Sequence, residues 1–387
     1  MVDLGHNRSP YDTMEELTYE ARSDFGASWS SYYLYYTYPP MPMFIYYPFA
    51  QAYRLIHPTP SELSFAPAGV DPYPQVPLTL NLLWKLPIFL ADIGIAILLL
   101  KMTNGSEKSM RMFLFNPFVI FISACWMFDS IAVFFLLLAT YLFEQERYDL
   151  SAILLAFGFL TKYYPIFALP IFCLEFIRRK SWKFFRYTLI FGAVSFIFIL
   201  PFLDGFTLGL GFQASRPPAG LTPFAAYPAF EHLGLIGGEG MNHLAYIALP
   251  ALGAFTLITG MSLIYAYLSK KEMSLRTKLL LTFIVYLIVT KNVHEPYPFV
   301  LIPFFILLLH ENFSKEKLWM YRLVWILPLM YAVFNVPITR FLYGFTLNEE
   351  ILTFLVLPTT INAIILGSIM IVFHLTLWRA LIKLRKG

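Results

Sequence analysis

The side chains best suited to chemistry are ionisable groups set in or beside long apolar runs. Asp129 lies in Phe128-Asp129-Ser130, Lys162 opens Lys162-Tyr163-Tyr164-Pro165, and His294 and Glu295 end the stretch Lys291-Asn292-Val293-His294-Glu295. A carboxylate can orient a hydroxyl-bearing or cationic group in a cavity. An ammonium holds phosphate as a compact point charge. A His beside a Glu can position a phosphate, a sugar hydroxyl or a proton. Each group also has a plainer reading. Asp129 could cap a helix start, Lys162 could snorkel from a span end, and His294-Glu295 could be a local hydrogen-bonded pair. Asp92 sits inside an apolar run seven residues after Lys85. That spacing is about two helical turns, so the two share a face as a structural pair or a functional one.

The elements that must position these groups are helices in a membrane. The chain has 387 residues, of which 58% are hydrophobic and 13% charged, and its mean hydropathy is +0.63. A soluble domain carries about 25% charged residues. This composition excludes a soluble globular enzyme, a disordered chain and a coiled coil. Repeated long apolar runs, rather than alternating ones, point to an all-α polytopic membrane protein. Cys125 and Cys173 both lie in apolar runs and read as buried apolar residues. Walker A, HExxH, dinucleotide and zinc spacings are missing, and nothing supports nucleic-acid binding.

Apolar runs fall at about 80–100, 112–127, 130–143, 150–161, 165–177, 185–202, 244–268, 278–290, 297–309, 319–334 and 351–377. They predict about eleven membrane helices, some short or broken by proline. Short helices are tolerated where they face protein or a cavity rather than lipid. With the N-terminal segment outside and the spans alternating, twenty of the 28 Lys and Arg residues fall on the inner side, as the positive-inside bias requires. Joining 150–177 into one span would put Arg178, Arg179 and Lys180 outside, so two helices are expected there, meeting at Lys162–Pro165. Asp129, Lys162 and 291–295 then share the outer face. The expected organisation is an outer acidic, Tyr-rich loop with an interfacial helix at 41–56 (1–79), a first helical bundle (80–203), an outer Gly/Pro-rich loop (204–243) and a second bundle (244–387).

Arg8-Ser9-Pro10-Tyr11, followed by Tyr38-Pro39-Pro40, resembles the first outer loop of the GT-C superfamily of membrane glycosyltransferases, nearest the glycosylphosphatidylinositol mannosyltransferase I group and its prokaryotic relatives. Asn116-Pro117 and Asp129-Ser130 resemble that family's N-P … N-A-D-S element. Gly158 with Lys162-Tyr163-Tyr164-Pro165 resembles its G … K-x-Y-P, and 291–295 resembles a late outer element that reads V-H-E-K in related glucosyltransferases. The likeness runs over about residues 7–170 and again near 290–309.

The resemblance implies transfer of a sugar from a polyprenyl-phosphate donor to a lipid-linked glycan or protein acceptor, with inversion, in a multi-pass protein of the cell membrane if the source is prokaryotic. Asp12 and Asp129 are the candidate catalytic carboxylates. Arg8, Lys162, Tyr163, His294 and Glu295 are the candidate substrate-binding residues. The resemblance names no cofactor, and a divalent metal stays open. The family also places an acidic pair after a first span, about twenty residues before its R-S-P-Y element. That segment has no counterpart here, so the expectation is a later-than-true start, an inactive copy, or substitution by Asp3, Asp12, Glu15 or Glu16, with Asp12 favoured beside Pro10-Tyr11. Two other classes stay open: a transporter or lipid flippase with Lys85, Asp92 and Asp129 along its path, and a non-catalytic membrane scaffold.

Overall fold

A computed structural model of the chain describes residues 38–56, 78–125, 127–215, 218–225, 239–335 and 359–386. The described residues are helical almost throughout. Helix α1 (Met41–Ile56) is followed by α2 (Leu78–Met102), α3 (Glu107–Leu114), α4 (Pro117–Ala124), α5 (Asp129–Glu144) and α6 (Tyr148–Thr161). A 3₁₀ turn at Tyr164–Ala168 leads into α7 (Leu169–Arg178), then α8 (Lys183–Ile199), α9 (Leu203–Ser215) and α10 (Glu239–Ser269). The series ends with α11 (Leu275–Val289), α12 (Leu301–Glu311), α13 (Lys315–Asn335) and α14 (Thr359–Lys386).

Among the described residues, five stretches are long and apolar enough to cross a membrane: Leu82–Met102, Lys183–Gly211, Ala251–Ser269, Lys315–Asn335 and Ala363–Arg385. Their outward faces carry Leu189, Phe196, Ile258, Leu263, Ile364 and Leu375, all exposed. In water such a surface would be costly; against lipid it is not. The helices α11 and α12, of 15 and 11 residues, are too short to cross a ~30 Å hydrocarbon layer alone. They are instead buried on every side, from Lys278 to Ile288 and from Leu301 to Leu309. Protein thus shields their ends from lipid.

The breaks between helices follow from local chemistry. Asn116 stands in extended backbone ahead of Pro117, as the proline ring demands. Its Oδ1 accepts from the backbone N–H of Phe118 (2.9 Å) and Val119 (3.4 Å), while its Nδ2 donates to the Tyr321 hydroxyl (3.0 Å). One residue therefore ends α3, caps α4 and ties both to α13. The expected break between 150–161 and 165–177 is present as well. Lys162 leaves α6 in extended backbone, and Pro165 sits at the head of the 3₁₀ turn that redirects the chain into α7. The expected helix at 41–56 is α1. It turns Met43, Tyr46 and Ala50 inward against Ile88 and Ala91 of α2 and Ile131 of α5.

Two parts of the expected organisation need correction. The bundles at 80–203 and 244–387 are not separate: one hydrophobic core runs from Ile95 of α2 to Leu384 of α14, with α11 and α12 packed among α2–α7. Periodicity identifies elements but not their partners, and the most apolar helices belong at the centre. The outer loop set at 204–243 is also too long. Residues 203–215 form α9 and 239–243 form the first turn of α10. The glycines of 205–211 read as loop residues, but Phe206, Leu208 and Leu210 between them continue an apolar helix, where glycine is tolerated. Residues 1–37 of the N-terminal segment, and 57–77 and 226–238, lie outside the described residues.

One end of the bundle is laced by ion pairs. Arg276 bonds both oxygens of Glu144 (2.7 and 2.7 Å), Glu311 (3.0 Å) and the Met102 carbonyl (3.2 Å), joining the ends of α2, α5, α11 and α12. Lys278 pairs with Glu175, and Glu316 takes Arg379 (3.0 Å) and Lys383 (3.5 Å).

Candidate functional site

At the opposite end, the start of α5 meets the end of α6. Lys162 Nζ donates to Asp129 Oδ2 at 2.7 Å, and Asp129 and Lys162 are 0% and 7% exposed. Asp129 heads α5, where a carboxylate suits the helix dipole, but its oxygens make no capping bond: Oδ2 takes Lys162 and Oδ1 has no donor among the described residues. Lys162 does not snorkel, since its ammonium is turned inward. Three rings enclose that ammonium: Tyr297 at 5.1 Å, Phe128 at 5.3 Å and Tyr38 at 5.9 Å from their centroids. Such rings add cation–π attraction where water is excluded. Tyr38 packs edge-on against Phe128 (4.8 Å) and is the outermost of the three, 37% exposed.

The pair is not fully satisfied. Asp129 Oδ1 is buried without a hydrogen-bond donor among the described residues, and so is the hydroxyl of Tyr164, whose ring lies 6.2 Å from that of Tyr297. An orphaned acceptor and an orphaned hydroxyl beside a buried ammonium are costly in a dry interior. They are the complement a polar ligand would supply.

The 291–295 stretch reaches the site from the other side. A two-residue parallel bridge pairs Ala219–Gly220 (β1) with Asn292–Val293 (β2). Leu221 N–H donates to Val293 O (2.7 Å), and Thr222 Oγ1 donates to Thr290 O (3.0 Å). Gly220 sits at φ +82°, and a Cβ there would collide with the Val293 carbonyl, so only glycine fits this bridge. The Lys291 ammonium donates to the Ala214 carbonyl, and its stem passes over Gly253 of α10. The bridge delivers the His294 ring to 5.6 Å from Tyr297, the ring that also faces Lys162.

The structure therefore brings Asp129, Lys162 and His294 together around Tyr297. Glu295 is buried but turned to Asn335 at the end of α13. Tyr163 points away, toward the rings of Phe159 (6.4 Å) and Phe206 (6.0 Å). Its neighbour Tyr164 takes the inward position, because the 3₁₀ turn alternates the two tyrosines. Arg8 and Asp12 lie outside the described residues. Asp92 does not pair with Lys85: its Oδ2 accepts from Ser123 (2.6 Å), which is 3.4 Å from Ser130 beside Asp129. Two turns of one helix offer a shared face, yet a hydroxyl from a neighbouring helix is nearer. Tyr297, Tyr164 and Ser123 carried no signal beyond the Pro296-Tyr297-Pro298 turn and the second tyrosine of the Lys162 motif.

Among the described residues no three His, Cys, Asp or Glu side chains are grouped to hold a metal. Compared with known families and curated proteins, the chain matches no family model and no curated sequence.

Proposed function

We propose that this chain is a multi-pass membrane glycosyltransferase of the GT-C kind. In this reading it crosses the membrane about eleven times, with the Asp129–Lys162 end outside. It moves a hexose, mannose in the nearest resemblance, from a polyprenyl-phosphate donor to a lipid-linked glycan or protein acceptor. The observation that carries the reading is the buried Asp129–Lys162 pair with its second carboxylate oxygen unsatisfied.

The chemistry would run as follows. The acceptor hydroxyl attacks the anomeric carbon from the face opposite the phosphate. The C–O bond to phosphate breaks as the new glycosidic bond forms. Asp129 Oδ1 takes the hydroxyl proton, and Lys162 holds the negative charge that grows on the leaving phosphate. The Tyr38, Phe128 and Tyr297 rings give the sugar an apolar stacking wall. Substrate reaches the closed pair by displacing Tyr38, the exposed member of that wall. His294, held by the Gly220 bridge, orients a donor oxygen. In this reading Asp12 and Arg8 complete the site from the N-terminal segment.

The test is transfer of labelled mannose, and of other hexoses in parallel, from a polyprenyl-phosphate donor by membranes containing the protein. Transfer that falls with Asp129→Asn supports the reading, and absence of transfer with any hexose overturns it. A second reading, a transporter or flippase, takes support from the polar series Asp92–Ser123–Ser130 running beside the site. It predicts flux of a lipid-linked or small solute that depends on Asp92, with no glycosidic product.

A further inference from the structure

At the end of the bundle that carries Arg276, a cavity of about 590 Å³ opens between α3, α12 and α13. Lys108, His310 and Arg322 line it together with Ile306, Leu309 and Phe115, and no acidic residue does. Arg111, Arg178, Arg179, Arg186, Arg276, Lys278, Arg379 and Lys383 at this end each pair with a carboxylate. Lys108 and Arg322 lie over aromatic rings, Phe313 at 5.7 Å and Trp319 at 5.5 Å, as Lys183, Lys271 and Arg385 also do. What sets Lys108 and Arg322 apart is that both line one cavity with no acid in its wall. The nearest acid in sequence, Glu107, is taken by Arg111 at 2.8 Å. The walls are apolar, and Phe115, at the α3–α4 break, is 73% exposed on the outward side.

We propose that this cavity seats the headgroup of an anionic phospholipid from the adjoining leaflet. The phosphate would lie between Lys108 and Arg322, and an acyl chain would run along Phe115 and the outer face of α13. Two features select a lipid over a soluble anion. The chamber that holds the cations is walled largely by apolar side chains, and it lies at the α3–α4 break beside the exposed Phe115. Basic residues close to a membrane surface attract anionic lipid, and paired aromatic rings are the usual interfacial anchor. The site is separate from the Asp129 end and does not depend on the transferase reading.

The experiment uses the full chain in nanodiscs that mix phosphatidylglycerol with phosphatidylcholine, with retained lipid counted by native mass spectrometry. Phosphatidylglycerol should be kept in preference. Lys108→Gln combined with Arg322→Gln should lower that preference roughly tenfold, while Lys108→Arg with Arg322→Lys should keep it. Arg186→Gln with Arg379→Gln removes the same charge at the same end, away from the cavity, and should leave it unchanged. An unaltered preference in the first double variant overturns the proposal. So does an equal loss in the control, or displacement of the lipid by millimolar inorganic phosphate, which would mark a free-anion site. Size-exclusion profiles of all variants exclude misfolding, and no arm reads sugar transfer, so this test and that of the transferase fail separately.

Discussion

The two ends of the helical bundle use charge in opposite ways. At the Arg276 end, ion pairs are numerous, partly wetted and shared, with one guanidinium serving Glu144, Glu311 and a helix carbonyl at once. The Arg276 bonds close gaps between helix ends, which is what a clamp requires. At the Asp129 end the one ion pair among the described residues is buried almost completely, walled by aromatic rings and left with one oxygen unanswered. A pair built only for stability would be expected to satisfy both oxygens, as Glu144 does. Burying two charges costs several kcal/mol per ion, and the attraction between them returns this only when the geometry and remaining hydrogen bonds are complete. The incomplete pair is therefore expensive as a clamp and reasonable as a site.

The comparison can be broken most severely at the buried pair. Asp129→Asn alone strands a buried ammonium and should lower stability by about 3–5 kcal/mol, visible as a large fall in thermal midpoint in detergent. It should also lower transfer per folded molecule by roughly 10²–10⁴-fold, the usual contribution of a general base. At the other end, Arg276→Ala leaves Glu144 and Glu311 facing each other and should cost about 1–3 kcal/mol, because the cluster is only partly buried. Transfer per folded molecule should not change. If Arg276→Ala abolished transfer at full stability, the division between clamp and site would be wrong.

A third substitution works through backbone alone. Gly220→Ala puts a Cβ against the Val293 carbonyl at a positive φ and should cost about 1–3 kcal/mol. Its effect should appear as faster amide exchange at Leu221 and Thr222, together with weakened donor binding through His294. Tyr38→Ala removes one of three rings from the Lys162 ammonium and should cost about 0.5–1 kcal/mol. Its signature would be a raised KM with kcat little changed, since the wall is thinned but the pair is kept. The smallest effect belongs to the exposed Glu107–Arg111 pair of α3. Arg111→Ala should shift stability by no more than about 0.5 kcal/mol and leave transfer alone.

Much of this arrangement is readable in the chain before any fold is known, because its signals are local. Proline and asparagine announce the break at Asn116-Pro117. The proline of Lys162-Tyr163-Tyr164-Pro165 marks a helix boundary, since it has no N–H for a helix interior and its ring crowds the preceding turn. The distribution of Lys and Arg separates the two ends. What escapes is whatever depends on packing. Glycines among apolar residues disguise 203–215 as loop. The central place of α11 and α12 rests on contacts with helices more than a hundred residues away. Asp92 takes a hydroxyl from Ser123 on another helix rather than Lys85 on its own. Tyr164, not Tyr163, faces the pair because of the phase of one 3₁₀ turn. Tyr297 joins Lys162 to His294 only once the Gly220 bridge has drawn 291–295 inward.

The most direct measurement replaces both members of the pair. Asp129→Leu combined with Lys162→Met removes both charges with similar volume, and such a swap is often neutral or stabilising. The account predicts a protein whose thermal midpoint stays near that of the native chain while labelled hexose transfer from the polyprenyl-phosphate donor falls to background. Retention of native transfer by this stable double variant would contradict it and leave Asp129 and Lys162 as a structural tie.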